Sequence, residues 1–153
     1  MDGPTFRVGV VVERRPSSSR WADHAWRVAA IVAEAPGTPD GHVLGQEGDA
    51  AMIYAGSAEV EFHRVETGNY RDNLVSGNAS LWVTLVTSAE EPGIRLLSVT
   101  ADPAEGESMT EAGDLLVEVI AMPQDMAEQL ALFVETHHVE RVFTKRKRDR
   151  HPS

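Results

Sequence analysis

The chain has no cysteine, and its only two lysines, Lys145 and Lys147, stand near the end of its 153 residues. Without thiols it forms no disulfide, offers no thiolate nucleophile and supplies no sulfur ligand to zinc or an iron–sulfur cluster. Long hydrophobic runs are missing as well. No window approaches the ~20 apolar residues of a membrane span, and Met1-Asp2-Gly3-Pro4 is not followed by the apolar stretch of an export signal. The expectation is a cytoplasmic protein with no membrane contact. Two enzyme signatures are also lacking. No Gly-x-Ser-x-Gly elbow occurs, the serines falling in turn-like stretches such as Ser17-Ser18-Ser19. The glycine-rich segment (Gly41, Gly45, Gly48) has no Gly-Lys-Ser/Thr ending and sits among Asp40, Glu47 and Asp49, which repel phosphate.

What is present is an ordinary globular composition, 42% hydrophobic and 25% charged, in one domain's length of chain. A chain of this size buries roughly two-thirds of its unfolded surface. Charge is placed unevenly. Through Thr144 there are nine basic and 23 acidic residues, a formal −14, whereas residues 145–150 hold five basic and one acidic, +4. The chain therefore reads as a single globular domain over residues 1–144 with a basic C-terminal tail over 145–153. A second basic cluster, Arg14, Arg15, Arg20 and Arg27, lies near the start.

Alternating apolar positions mark strands. Phe6, Val8, Val10 and Val12 line one face of the first, and Val28, Ala30 and Val32 line a second entered from Trp26. Residues 51–55 and 58–62 flank Gly56-Ser57, which predicts a hairpin. Leu81, Val83 and Leu85, then Ile94, Leu96 and Ser98, then Leu115, Val117 and Val119 supply further strands. Residues 36–48, rich in glycine and proline, read as a loop. Two helices are predicted. Asp102 as N-cap, Pro103 at the first position, Glu105 at the third and Gly113 at the end define a short one over 103 to about 112. Pro123 opens the other, with Met126, Leu130, Phe133, Val134 and His137 at helical spacing to about 138. The fold class that follows is α+β, mainly β: an antiparallel sandwich or partly open barrel with a short helix and a packed C-terminal helix.

The most distinctive constellation is Arg14-Arg15-Pro16 followed by Ser19, Arg20, Trp21 and Trp26. Guanidinium forks bind phosphate or carboxylate bidentately and an indole face stacks on a ring, so these residues form a candidate anion-binding or partner-binding surface. The competing reading pairs the arginines with carboxylates of the acidic body, Glu13 and Glu66 among them. Lys145, Arg146, Lys147 and Arg148 form a candidate electrostatic arm for an acidic protein partner. With an acidic body and no aromatic among the tail charges, nucleic acid is not the expected partner. His137 reads as a packing histidine, and the adjacent His137 and His138 project about 100° apart, poor geometry for one metal. Glu59, Glu61 and His63 share a strand face and read as solvated surface, with a cation site as the alternative. No catalytic residue, metal site or cofactor is predicted.

Taken together, residues 10–16 with Ser19, Arg20, Trp21 and Trp26, then Glu66, Thr67, Tyr70, Asn73 and Leu74, residues 100–103 with Glu105, Met122-Pro123, and Phe133, His137, His138, Phe143 and the Lys-Arg-Lys-Arg run resemble an uncharacterised bacterial domain-of-unknown-function family. The resemblance covers nearly the whole chain. Ala104 departs from it, since the family favours an aromatic residue after the proline. Members are often encoded beside molybdenum-dependent formate dehydrogenases. The resemblance thus implies a non-catalytic accessory or maturation protein that aids assembly or cofactor loading of such an enzyme, its partner being a dehydrogenase subunit or a maturation factor. It also brings Tyr70 and Asn73 into the candidate surface. The alternative is a module that binds a small anion, a pterin or a nucleotide, at the Arg/Trp cluster.

Overall fold

A computed structural model describes residues 3–18, 24–111, 113 and 115–149, with residues 138–149 followed as backbone. Among these, seven strands form two antiparallel sheets. The first has the order β2-β1-β4-β3, built from β1 (Thr5–Pro16), β2 (His24–Ala33), β3 (His42–Glu47) and β4 (Ala50–Glu61). The second has the order β6-β5-β7, built from β5 (Ser80–Thr87), β6 (Ile94–Thr100) and β7 (Leu115–Ala121). A 3-10 turn (Arg64–Glu66) leads into α1 (Thr67–Val75); α2 (Pro103–Thr110) precedes β7, and α3 (Gln124–Asp149) follows it. This is the mainly β, α+β architecture the alternation predicts, as two open sheets without closure into a barrel.

The alternation is what makes the core. Val8, Val10 and Val12 of β1, Ile53 and Val60 of β4, and Leu81, Val83 and Leu85 of β5 are nearly or wholly buried in one cluster. Each such side chain, fully buried, contributes roughly 1.5–3 kcal/mol. Met126, Leu130, Phe133 and Val134 of α3 join it at the spacing read from the sequence. Aromatic rings fasten the helices to the sheet: Phe62 lies 5.3 Å from Phe6, 5.7 Å from Tyr70 of α1 and 5.6 Å from Phe133 of α3, centroid to centroid. The Asp102 side chain accepts from the N–H groups of Ala104 (2.9 Å) and Glu105 (3.4 Å), the N-cap expected of it. The helix it starts lies so close to β5 that a Cβ on Gly106 would overlap the Trp82 ring.

The structure corrects the sequence reading in several places. Gly56-Ser57 makes no hairpin, because β4 runs straight through it. Val10 pairs with Gly56 and Val11 with Tyr54, so Ala55 is an extra residue in a bulge, and Gly56 takes φ 141°. In β2 the register also shifts, since Val12 pairs with Val28 but Val11 with Ala30. Ile31, opposite Val10, therefore packs on the core, while Val32 is exposed instead of sharing the Val28 face. The supposed loop over 36–48 contains β3, paired with β4. Helix α1 was not foreseen, and α3 runs on to Asp149, well past 138.

Candidate functional site

Successive residues of a strand point to opposite faces. Glu13, Arg14 and Arg15 therefore divide, and the two arginines do not share a surface. Arg14 sits opposite Trp26 of β2, with its side chain 17% exposed. Its Nη1 donates to the Pro92 carbonyl at 3.0 Å and to the Glu91 carboxylate at 3.4 Å. Beside it, Trp26 packs on the same turn: a Cβ on Gly93, whose φ is 102°, would stand 3.1 Å from the indole Cζ2. The His24 ring meets Trp26 edge-on at 5.6 Å. Arg14 and Trp26 are thus brought together, as a clamp on the turn between β5 and β6.

On the other face, Glu13 is only 7% exposed and is held by two arginines. Arg15 donates through Nε at 3.0 Å and Nη2 at 3.4 Å, and Arg27 through Nε at 3.4 Å. The hydrogen bond from Arg15 lowers the Glu13 pKa against the opposing effect of burial, with Arg27 assisting. Arg15 is raised in turn by Glu13, and further by the charges of Asp49 and Glu47. Glu13, Arg15 and Glu47 border an open pocket of about 490 Å³ whose walls also include Gly45, Ala50 and Met52. Its carboxylates neutralise the guanidinium that an incoming anion would need.

Tyr70 and Asn73 are buried. The Tyr70 hydroxyl accepts from the His63 N–H (3.0 Å) and donates to the Glu61 carbonyl (3.4 Å), and burial pushes its pKa up to about 12. The Asn73 amide donates to the carbonyls of Ser80 and Ala101 and accepts from the Ser80 N–H, each at 2.9 Å. Both residues act within the chain, tying α1 to its neighbours. Arg20 and Trp21 lie outside the described residues. Lys145, Arg146, Lys147 and Arg148 stand on the final turns of α3, where backbone alone is described. Basic residues there suit the negative end of the helix dipole.

The remaining candidates are placed simply. Glu59 pairs with Arg7 at 3.2 Å, and His63 is 3.9 Å from Glu61, both half exposed. The His137 ring rests 4.6 Å from that of Phe133. Among the described residues no group of three or more His, Asp or Glu side chains could hold a metal ion. Sequence reasoning missed β3, which forms an outer edge of the first sheet with all six residues exposed. Its one available signal was the short Val43-Leu44 pair inside a polar stretch.

The two-sheet scaffold, with Arg14, Arg15 and Arg27 tied to partners within the chain and β3 at one outer edge, defines a small antiparallel β domain with helices packed on it. The chain belongs to a family described as protein of unknown function (DUF3305), whose model matches residues 7–147. No curated protein and no solved structure matches it.

Proposed function

We propose that this protein is a non-catalytic accessory protein that works by docking on a protein partner in the cytoplasm. The partner implied by the sequence resemblance is a subunit or maturation factor of a molybdenum-dependent formate dehydrogenase, during assembly or cofactor loading. One observation favours docking over small-anion binding. Arg14 is engaged by a carbonyl and a carboxylate, Arg15 and Arg27 by Glu13, and the two faces of β1 keep Arg14 and Arg15 apart. A pterin or nucleotide would have to break those pairs beside Glu47 and Asp49, against like charge.

The test is deletion of the gene in the native host, with formate dehydrogenase activity and molybdenum occupancy measured on the purified enzyme. Both fall on this account, and the full chain restores them better than a chain ending at Thr144. Unchanged activity and occupancy in the deletion strain would sink the dehydrogenase assignment. Saturable quenching of tryptophan fluorescence by a pterin or nucleotide, abolished by Arg15→Ala, would move the reading to the ligand module.

A further inference from the structure

We propose that the free edge of β3 is a docking site for an extended, positively charged segment of a partner protein, which adds to the first sheet as a fifth strand. The proposal rests on the reading of the chain as a docking protein and gives that reading a surface.

The order β2-β1-β4-β3 leaves β3 with one side paired and, among the described residues, no strand on the other. Alternate N–H and C=O groups along that side face outward. All six residues of β3 are exposed, Val43 by 43% and Leu44 by 51%. Protein sheets blunt such edges with lysine, proline, inward charges or bulges. β3 has no lysine and no proline, and its guards are the charge of Glu47 and the irregularity at Leu44, which has no Cα partner on β4.

Charge selects the occupant. Residues 40–49 contain Asp40, Glu47 and Asp49 and no lysine or arginine, and the one guanidinium on the adjoining pocket wall, Arg15, is already held by Glu13, which leaves acidic charge in excess there. A second copy of this chain would bring the same three carboxylates to the same edge on a chain of formal charge −10, so like charges oppose that pairing. A strand alternating basic with apolar side chains fits instead. Val43 shares the face of buried Ile53, whereas Gly45 and Glu47 share the pocket face with Met52 and Ala50. The added strand continues the backbone ladder, lays apolar side chains beside Val43 and points its cations at Glu47 and Asp49.

The test titrates the purified full chain with a fluorescent synthetic peptide, Lys-Val-Arg-Val-Lys-Val, by anisotropy at low and at physiological salt. Saturable, salt-weakened binding is expected. It should fall roughly tenfold or more with Val43→Lys, with Glu47→Lys plus Asp49→Lys, and with a peptide N-methylated at alternate amides, which keeps its charge but cannot extend the ladder. The methylated peptide requires no variant of the protein, so a folding failure cannot mask the result. Equal binding of the methylated peptide overturns the proposal, leaving charge attraction alone. So does the absence of saturable binding, and so does a chain dimer that Val43→Lys dissolves, which would make a second copy the occupant. The formate dehydrogenase assignment fails separately, through the deletion strain, and peptide binding does not depend on it.

Discussion

The two outer strands of the first sheet are finished in opposite ways. At β2, the Val28 N–H donates to the Glu118 carboxylate of β7 at 2.8 Å, so the second sheet reaches over and satisfies one donor of that edge. At β3 nothing comparable occurs among the described residues, and two large apolar side chains stand exposed. A backbone donor left dry and unpartnered costs free energy, which explains why the edge near the second sheet is capped. An edge in water costs little by itself, and its hazard is unwanted pairing. The contrast teaches that an apolar core joins the sheets and helices, that single polar ties such as Val28 to Glu118 and the Asn73 amide fix their edges, and that β3 carries no such tie among the described residues.

That contrast breaks most forcefully at a tie. Asn73→Ala removes three hydrogen bonds and leaves the part-buried backbone groups of Ser80 and the buried carbonyl of Ala101 without them, so stability measured by urea denaturation should drop by about 3 kcal/mol. Glu118→Ala uncaps Val28 and should cost about 2 kcal/mol, with Glu118→Gln recovering much of it because an acceptor remains. Tyr70→Phe strips one partner from the His63 N–H and should cost about 1 kcal/mol. In the unaltered protein the Tyr70 phenol, pushed up to about 12, should ionise well above its usual 10.0 when followed by ultraviolet absorbance. Its contribution is complete below the ordinary value and is lost as pH rises through about 12.

Acid should act on the paired face. The Glu13 pKa is lowered, chiefly by Arg15, so its contribution is present above the ordinary carboxylate value and is lost as pH falls through the lowered one. Melting temperatures followed downward through the carboxylate range should therefore decline less steeply in Glu13→Gln. The smallest effect belongs to the bare edge: Val43→Lys should change stability by less than about 0.5 kcal/mol, as surface substitutions do. A loss as large as that of Glu118→Ala would show that β3 is a structural element like β2.

Mainly β character, the buried valines of β1, the Asp102 cap and the apolar face of α3 were all legible, because burial and capping impose strong periodic patterns. The bulges were harder to read for a definite reason. Core-cluster residues of β4 run odd at Ala51, Ile53 and Ala55, then even at Val60, with Phe62 just past its end. A hairpin about Gly56-Ser57 and a one-residue bulge give that same change of parity. What decides is β1, twelve residues long, which pairs with both halves and so holds the strand straight. β3 stayed hidden because an exposed edge strand needs no apolar alternation. α1 stayed hidden because its inward face is largely polar, with Asn73 and Thr67 buried beside Tyr70. Of the candidate site, the pairing of Arg15 with Glu13 was visible as one of two readings, but the division of Arg14 from Arg15 required the strand.

The central claim is that β3 is the side of this molecule kept open for a partner. Hydrogen exchange read by mass spectrometry, with and without the Lys-Val-Arg-Val-Lys-Val peptide, tests it most directly. The account predicts added protection concentrated over residues 42–47, with residues 24–33 unchanged. Protection gained elsewhere while β3 exchanges as before would contradict it.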